Sequence, residues 1–175
     1  MLKRFIVVVL LSLGVSLGFG AAKELLKEGD KAPNFMLRDI DGVMVTLSRM
    51  CGDRALEAQR KIVVLDFFQV TCKPCIAELP AIKSFYNAWK DDGRVLFYMV
   101  GVGESIEKLK KFQEDYNVHE LPMLSDPYFV CCKSFGVKSF PVTMIIDRQG
   151  IIKFVLKDKQ PKINEILTEN LKKLL

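Results

Sequence analysis

A buried strand that hands over to a helix beginning Cys72-Lys73-Pro74-Cys75 is the feature that most limits what this chain can fold into. Ile62 to Phe68 is an apolar run of strand length, rich in β-branched and aromatic residues, the pattern of a strand covered on both faces. A helical stretch then runs from Cys72 to about Lys90, and Pro80 is expected to kink it because proline has no backbone N–H to donate. Val95 to Val102 repeats the buried-strand pattern. After it, Ser105 fits the N-cap of a second helix carrying Ile106, Leu109, Phe112 and Tyr116 at helical spacing.

The flanking segments complete the fold class. Phe35 to Leu37 and Val43 to Leu47 flank Asp39-Ile40-Asp41-Gly42 and read as an N-terminal hairpin, while Val142 to Asp147 and Ile151 to Val155 flank Arg148-Gln149-Gly150 and read as another. The C-terminal segment places Ile163, Ile166, Leu167, Leu171 and Leu174 on one helical face, a core stripe. Strand, helix, strand, helix, then hairpin and helix give a three-layer α/β domain, with a mixed central sheet flanked by helices and an extra N-terminal β-hairpin. With 50% hydrophobic and 27% charged residues the chain is not of disordered composition. Residues 23–175 contain no repeat, low-complexity segment or Pro/Gly/Ser linker and read as one domain.

Residues 1–22 are of another kind. Lys3 and Arg4 precede an apolar stretch from Phe5 to Phe19 and the small residues Gly20, Ala21 and Ala22, the three-part pattern of a secretory signal cleaved after Ala22. Phe5 to Ala22 also reaches the roughly 17 to 25 residues that a spanning helix needs, so a retained membrane anchor is the alternative. In either case the domain is expected outside the cytoplasm, in the periplasm or on the outer face of the cytoplasmic membrane. Removing Lys3 and Arg4 lowers the formal charge from +5 to +3. So small a charge, with acids and bases interleaved as in Lys157-Asp158-Lys159, does not describe a nucleic-acid surface.

The position of the two cysteines has a chemical use. Cys72 falls at the helix start, where unpaired N–H groups and the positive end of the helix dipole stabilise a thiolate, and Lys73 adds to that field. A thiolate can open a disulfide in a partner protein to give a mixed disulfide. Cys75, one turn on and more buried, then attacks that bond and releases the reduced partner.

Here the sequence resembles the thioredoxin superfamily, and more closely its exported ResA/TlpA-like branch of thiol-disulfide oxidoreductases. The resemblance covers most of residues 29–157. It is carried by Gly29-Asp30-Lys31-Ala32-Pro33-Asn34-Phe35, by Asp41-Gly42, and by Cys72-Lys73-Pro74-Cys75-Ile76-Ala77-Glu78-Leu79-Pro80. Val102-Gly103-Glu104-Ser105, Phe140-Pro141-Val142-Thr143 and Asp147-Arg148-Gln149-Gly150 add to it. The resemblance implies Cys72 as nucleophile, Cys75 as resolving thiol and Pro141 in cis. Phe140 and Pro141, with Lys73 and Pro74, would present the surface to a substrate peptide. The plainer reading of Pro141 is a trans turn before a strand. No cofactor is implied beyond a redox-active Cys72–Cys75 disulfide. The implied partners are a protein disulfide substrate, apocytochrome c among them, and a membrane thiol carrier as electron donor. The chain departs from the branch in having Gln69-Val70-Thr71 and Phe68 where tryptophans are common, Asp66 where Asn is usual, and a longer segment from Ser48 to Lys61.

Two acids are candidates for proton transfer. Asp66 interrupts the apolar run six residues before Cys72, and a carboxyl buried there would have a raised pKa and accept the Cys75 proton; alternatively it is a wetted strand-end acid. Glu78 lies one helical turn past Cys75 and either serves the thiols or is an exposed first-turn acid favoured by the helix dipole. The remaining cysteines leave further alternatives: Cys51 paired with Cys131 or Cys132, or a zinc site that includes His119. Two other functions compete with disulfide exchange, a peroxiredoxin-like thiol peroxidase and a Sco-type copper-delivery protein that would use His119 beside the thiols.

Overall fold

The structure, a computed structural model, describes residues 24–175. The signal or anchor expected over residues 1–22 lies outside the described residues. Among the described residues no helix is long and apolar enough to cross a membrane.

All seven residues of the strand Ile62–Phe68 (β3) are buried, which demands cover on both faces and places it deep in the sheet. Four strands lie on one side of it and two on the other, and four of these six form two hairpins: Met36–Asp39 (β1) with Met44–Thr46 (β2), and Val142–Ile146 (β6) with Ile152–Lys157 (β7). With Val95–Val102 (β4) and Met123–Asp126 (β5) the order across the seven-stranded sheet is β2-β1-β5-β4-β3-β6-β7. β4 runs parallel to β3, Ile62 opposite Val95, and β5 parallel to β4, whereas β1, β2, β6 and β7 make antiparallel pairs. The expected three-layer α/β domain with its mixed sheet and N-terminal hairpin is what forms.

β5 falls outside the sequence expectations. It has only four residues between Pro122 and Pro127 and ends in the polar pair Ser125-Asp126, so it shows neither alternation nor an apolar run. Register with β4 and β1, not composition, makes it a strand.

Alternation along β3 divides the interior in two. Val63, Leu65 and Phe67 face a core shared with Phe35, Leu47, Met50 and Phe135, the last in the short helix Val130–Phe135 (α3). Ile62, Val64 and Phe68 face the other core, under the helices Lys73–Trp89 (α1), Ile106–Tyr116 (α2) and Ile163–Lys172 (α4). Six fully buried apolar side chains on one strand stabilise the fold by on the order of 10 kcal/mol. That surplus allows one polar residue, Asp66, to be carried on the α1 face.

The helix caps agree with the sequence. Cys72 is the N-cap of α1 with Pro74 in its first turn, and the helix continues through Pro80. Ser105 caps α2, its Oγ accepting from the Lys108 N–H at 3.4 Å. Asp39 and Asp147 close the two hairpin turns by accepting backbone N–H groups through Oδ1.

Candidate active site

β3 delivers the chain to the carboxyl edge of the parallel strands, and Gln69–Thr71 turn it into α1. Cys72 and Cys75 are joined there by a disulfide with Cα atoms 5.3 Å apart. The Cys72 sulfur also accepts the Cys75 backbone N–H at 3.2 Å, so a helix N-terminal donor already points at the sulfur that would carry the charge of a thiolate. Cys72 is partly exposed and Cys75 is buried at 4%. That asymmetry leaves one sulfur for an outside partner and keeps the other behind it. Lys73 and Pro74 are exposed on the first turn, where a partner would meet them.

The Phe140–Pro141 peptide bond is cis, and the half-buried Phe140 packs against both cores. This loop leads into β6, whose antiparallel register on β3 sets Thr143 opposite Asp66.

Asp66 is 3% exposed, and its Oδ1 accepts the Thr143 hydroxyl at 2.8 Å. Burial raises its pKa to about 7; the Thr143 bond works against the shift and the nearby Glu78 carboxyl adds to it. It is no wetted strand-end acid. Glu78 corrects a second alternative: it is 3% exposed, not a solvated first-turn acid, because its Oε1 turns inward to accept the Gln160 backbone N–H at 2.6 Å. Burial raises its pKa, opposed by the Gln160 bond and the Lys159 cation. The two carboxyls therefore sit within electrostatic reach of each other on the dithiol side of the sheet. At neutral pH Asp66 is therefore poised between protonated and ionised forms.

Thr143 and the Gln160 backbone were not foreseen as parts of this site. Thr143 stands in the motif around Pro141, but only the β3–β6 register reveals what it touches.

The other cysteines contribute nothing to the dithiol. Cys51, Cys131 and Cys132 are free and buried, so the disulfide considered between Cys51 and Cys131 or Cys132 does not form. Cys131 and Cys132 instead lie in α3, whose first-turn N–H groups are accepted by the Asp126 carboxylate. Burial raises the pKa of all three, those of Cys51 and Cys132 to about 11. Thiols so protonated are poor nucleophiles. Among the described residues no cluster of three or more His, Cys, Asp or Glu could hold a metal ion. His119 precedes β5, at the sheet edge opposite the dithiol, which removes the ligand that the copper and zinc alternatives require.

Comparison with known proteins agrees with this geometry. Residues 28–155 match the model of the AhpC/TSA family. The chain is 30% identical to the thiol-disulfide oxidoreductase ResA of Bacillus cereus over 178 aligned positions, which cover 99% of this chain and 96% of that protein. It is 33% identical to the Bacillus subtilis ResA over 136 positions, covering 77% and 70% of the two chains. Among solved structures it is similar to a putative thiol:disulfide interchange protein DsbE from Chlorobium tepidum. That match has 27% identity and a TM-score of 0.71, and covers 85% of this chain and 98% of the other. StoA from Bacillus subtilis, at 20% identity and TM-score 0.64, shares the fold.

Proposed function

The chain belongs to the AhpC/TSA family of thioredoxin-like proteins and is a thiol-disulfide oxidoreductase of the ResA/DsbE type, and on that premise we propose that it reduces protein disulfides outside the cytoplasm. The observation that carries the reading is the placement of a partly exposed Cys72 at a helix N-terminus, a buried Cys75 one turn behind it, and a buried carboxyl pair on the same side of the sheet.

The reaction balances as two thiol-disulfide exchanges. The Cys72 thiolate attacks one sulfur of the substrate disulfide, and the other substrate sulfur leaves as a thiolate that takes a proton from solvent. Cys75 loses its proton to Asp66 and attacks the Cys72 sulfur, releasing the second substrate thiolate. Substrate gains two electrons, and the enzyme is left as the Cys72–Cys75 disulfide. A membrane thiol carrier restores the dithiol by the reverse pair of steps. Phe140 and Pro141 hold the substrate backbone beside Cys72, and Lys73 and Pro74 border the point of attack. Residues 1–22 export the domain or tether it to the membrane. The substrate class is the haem-attachment cysteine pair of apocytochrome c, a proposal supported by the likeness to ResA-type proteins and by the exported character of the leader.

The test is a full-length Cys75→Ala variant, in which the mixed disulfide with Cys72 cannot be resolved. Recovery of apocytochrome covalently bound to Cys72 supports the reading. An unrelated adduct overturns the substrate, and no adduct at all overturns exchange chemistry. A reduction potential near −120 mV, the oxidising end of the superfamily's range, would overturn the reductant direction, whereas one near −270 mV supports it.

A further inference from the structure

Between β3 and α1 the chain has only Gln69, Val70 and Thr71 in which to place the nucleophile, and two of the three are held by one short segment of a neighbouring strand end. The Val70 N–H donates to Glu104 Oε1 at 3.2 Å, and Gln69 Nε2 donates to the Val102 carbonyl at 3.3 Å. The loop is then linked to Cys72 by the bond from the Cys72 N–H to the Gln69 carbonyl, 3.0 Å.

Glu104 is an expensive residue to use as a tether. It is 6% exposed, and its Oε2 is buried with no hydrogen-bond partner among the described residues, facing only the Lys108 ammonium at 3.4 Å. A buried carboxylate is costly unless it is paired and hydrogen-bonded, and here the Lys108 cation on Oε2 and the Val70 N–H on Oε1 together hold the group. The surrounding backbone fixes it in place. The Glu104 carbonyl accepts the Ser125 hydroxyl at 2.7 Å, and the Gly103 N–H donates to the Asp126 carbonyl at 2.9 Å. Gly103 adopts φ +76, and a Cβ there would stand 2.7 Å from the Phe129 ring. The turn that presents Glu104 is thus locked on three sides.

We propose that Glu104 is a positioning residue for thiol-disulfide exchange: through Val70 it fixes the loop that orients the Cys72 sulfur toward an incoming disulfide. Nucleophilic attack at sulfur is directional, and a loss of alignment of about 1 Å in such a step costs up to roughly a hundredfold in rate. Glu104 does not contact substrate, so its effect falls on turnover and not on substrate binding. The proposal rests on the exchange activity set out above.

Glu104→Ala and Glu104→Gln, made in the chain carrying the native dithiol, separate the tether from the charge. Gln keeps an acceptor for the Val70 N–H and removes the negative charge. Reduction of a model protein disulfide, normalised to folded protein by near-UV circular dichroism, is expected to show kcat about tenfold lower in Glu104→Ala with KM within about twofold of the parent. Glu104→Gln is expected to recover kcat to within about threefold. An unchanged kcat in Glu104→Ala overturns the proposal, as does a Glu104→Gln variant as slow as Glu104→Ala, which would assign the effect to charge. A rise in KM alone also overturns it. If the unsubstituted protein shows no exchange, the functional reading fails first, so the two failures are distinguishable.

Discussion

Replacing Asp66 with Asn should make the protein more stable at alkaline pH and slower as an enzyme. Burial lifts the Asp66 pKa from 3.8 to about 7, with Glu78 reinforcing the shift against the Thr143 bond. At about 1.4 kcal/mol per pKa unit, holding the ionised form inside the fold costs about 4 kcal/mol, a large part of the roughly 5–15 kcal/mol that stabilises a domain. Below about pH 4 the carboxyl is protonated in folded and unfolded chains alike and costs nothing. Between there and pH 7 the unfolded chain releases a proton that the folded chain keeps, so stability falls as pH rises; above pH 7 the penalty is complete. Asn preserves the Oδ1 acceptor for Thr143 and never ionises. Its added N–H groups cost about 1–3 kcal/mol if unpaired, but equally at every pH. Urea denaturation of the oxidised proteins at pH 4, 5.5, 7 and 8.5 and constant ionic strength should therefore show the variant gaining on the parent by about 4 kcal/mol from the lowest pH to the highest. In the reduced proteins the step in which Cys75 resolves the mixed disulfide should slow by a hundredfold or so, the usual contribution of a positioned base. Parallel stability curves across that pH range would refute the reasoning, because they would mean Asp66 titrates at its ordinary value.

Two further outcomes follow from burial and backbone conformation. Reduced, folded protein should give one thiol, Cys72, that reacts readily with a small alkylating reagent at pH 8, and four more only after unfolding, since Cys75, Cys51, Cys131 and Cys132 are buried and burial raises the pKa of the last three; mass spectrometry showing more than one rapid addition would contradict this. Gly136→Ala should cost about 2 kcal/mol or more, read from chemical denaturation. Gly136 adopts φ +71, and an added Cβ would run into the Glu24 carbonyl. A loss under 1 kcal/mol would show that the N-terminal segment yields.

Where local chemistry decides a residue's fate, the sequence was legible. Cys72 to Cys75 could be placed because a wholly apolar strand and a helix with a thiol cap each leave a local signature, and the Asp39 and Asp147 turns likewise declare themselves. β5 could not, since it owes its strand conformation to β4 and β1 on either side. The two acids show the same limit more finely. Asp66 interrupting an apolar run foretold burial, but the ambiguity over Glu78 was settled by a backbone N–H 82 positions away, at Gln160. The pairing left open for Cys51 failed for a related reason: cysteine count and spacing say nothing about which side chains meet.

The division of the interior into two cores has a consequence for the sulfur atoms. Cys72 and Cys75 belong to the side covered by α1, and Cys51, Cys131 and Cys132 to the other. A continuous seven-stranded sheet stands between them. Exchange between the two groups would require a side chain to pass through a hydrogen-bonded wall, so a folded molecule cannot scramble its own disulfide. A protein that exchanges other proteins' disulfides thereby keeps three oxidisable thiols of its own out of the circuit, and the sheet that positions the nucleophile is also its insulation.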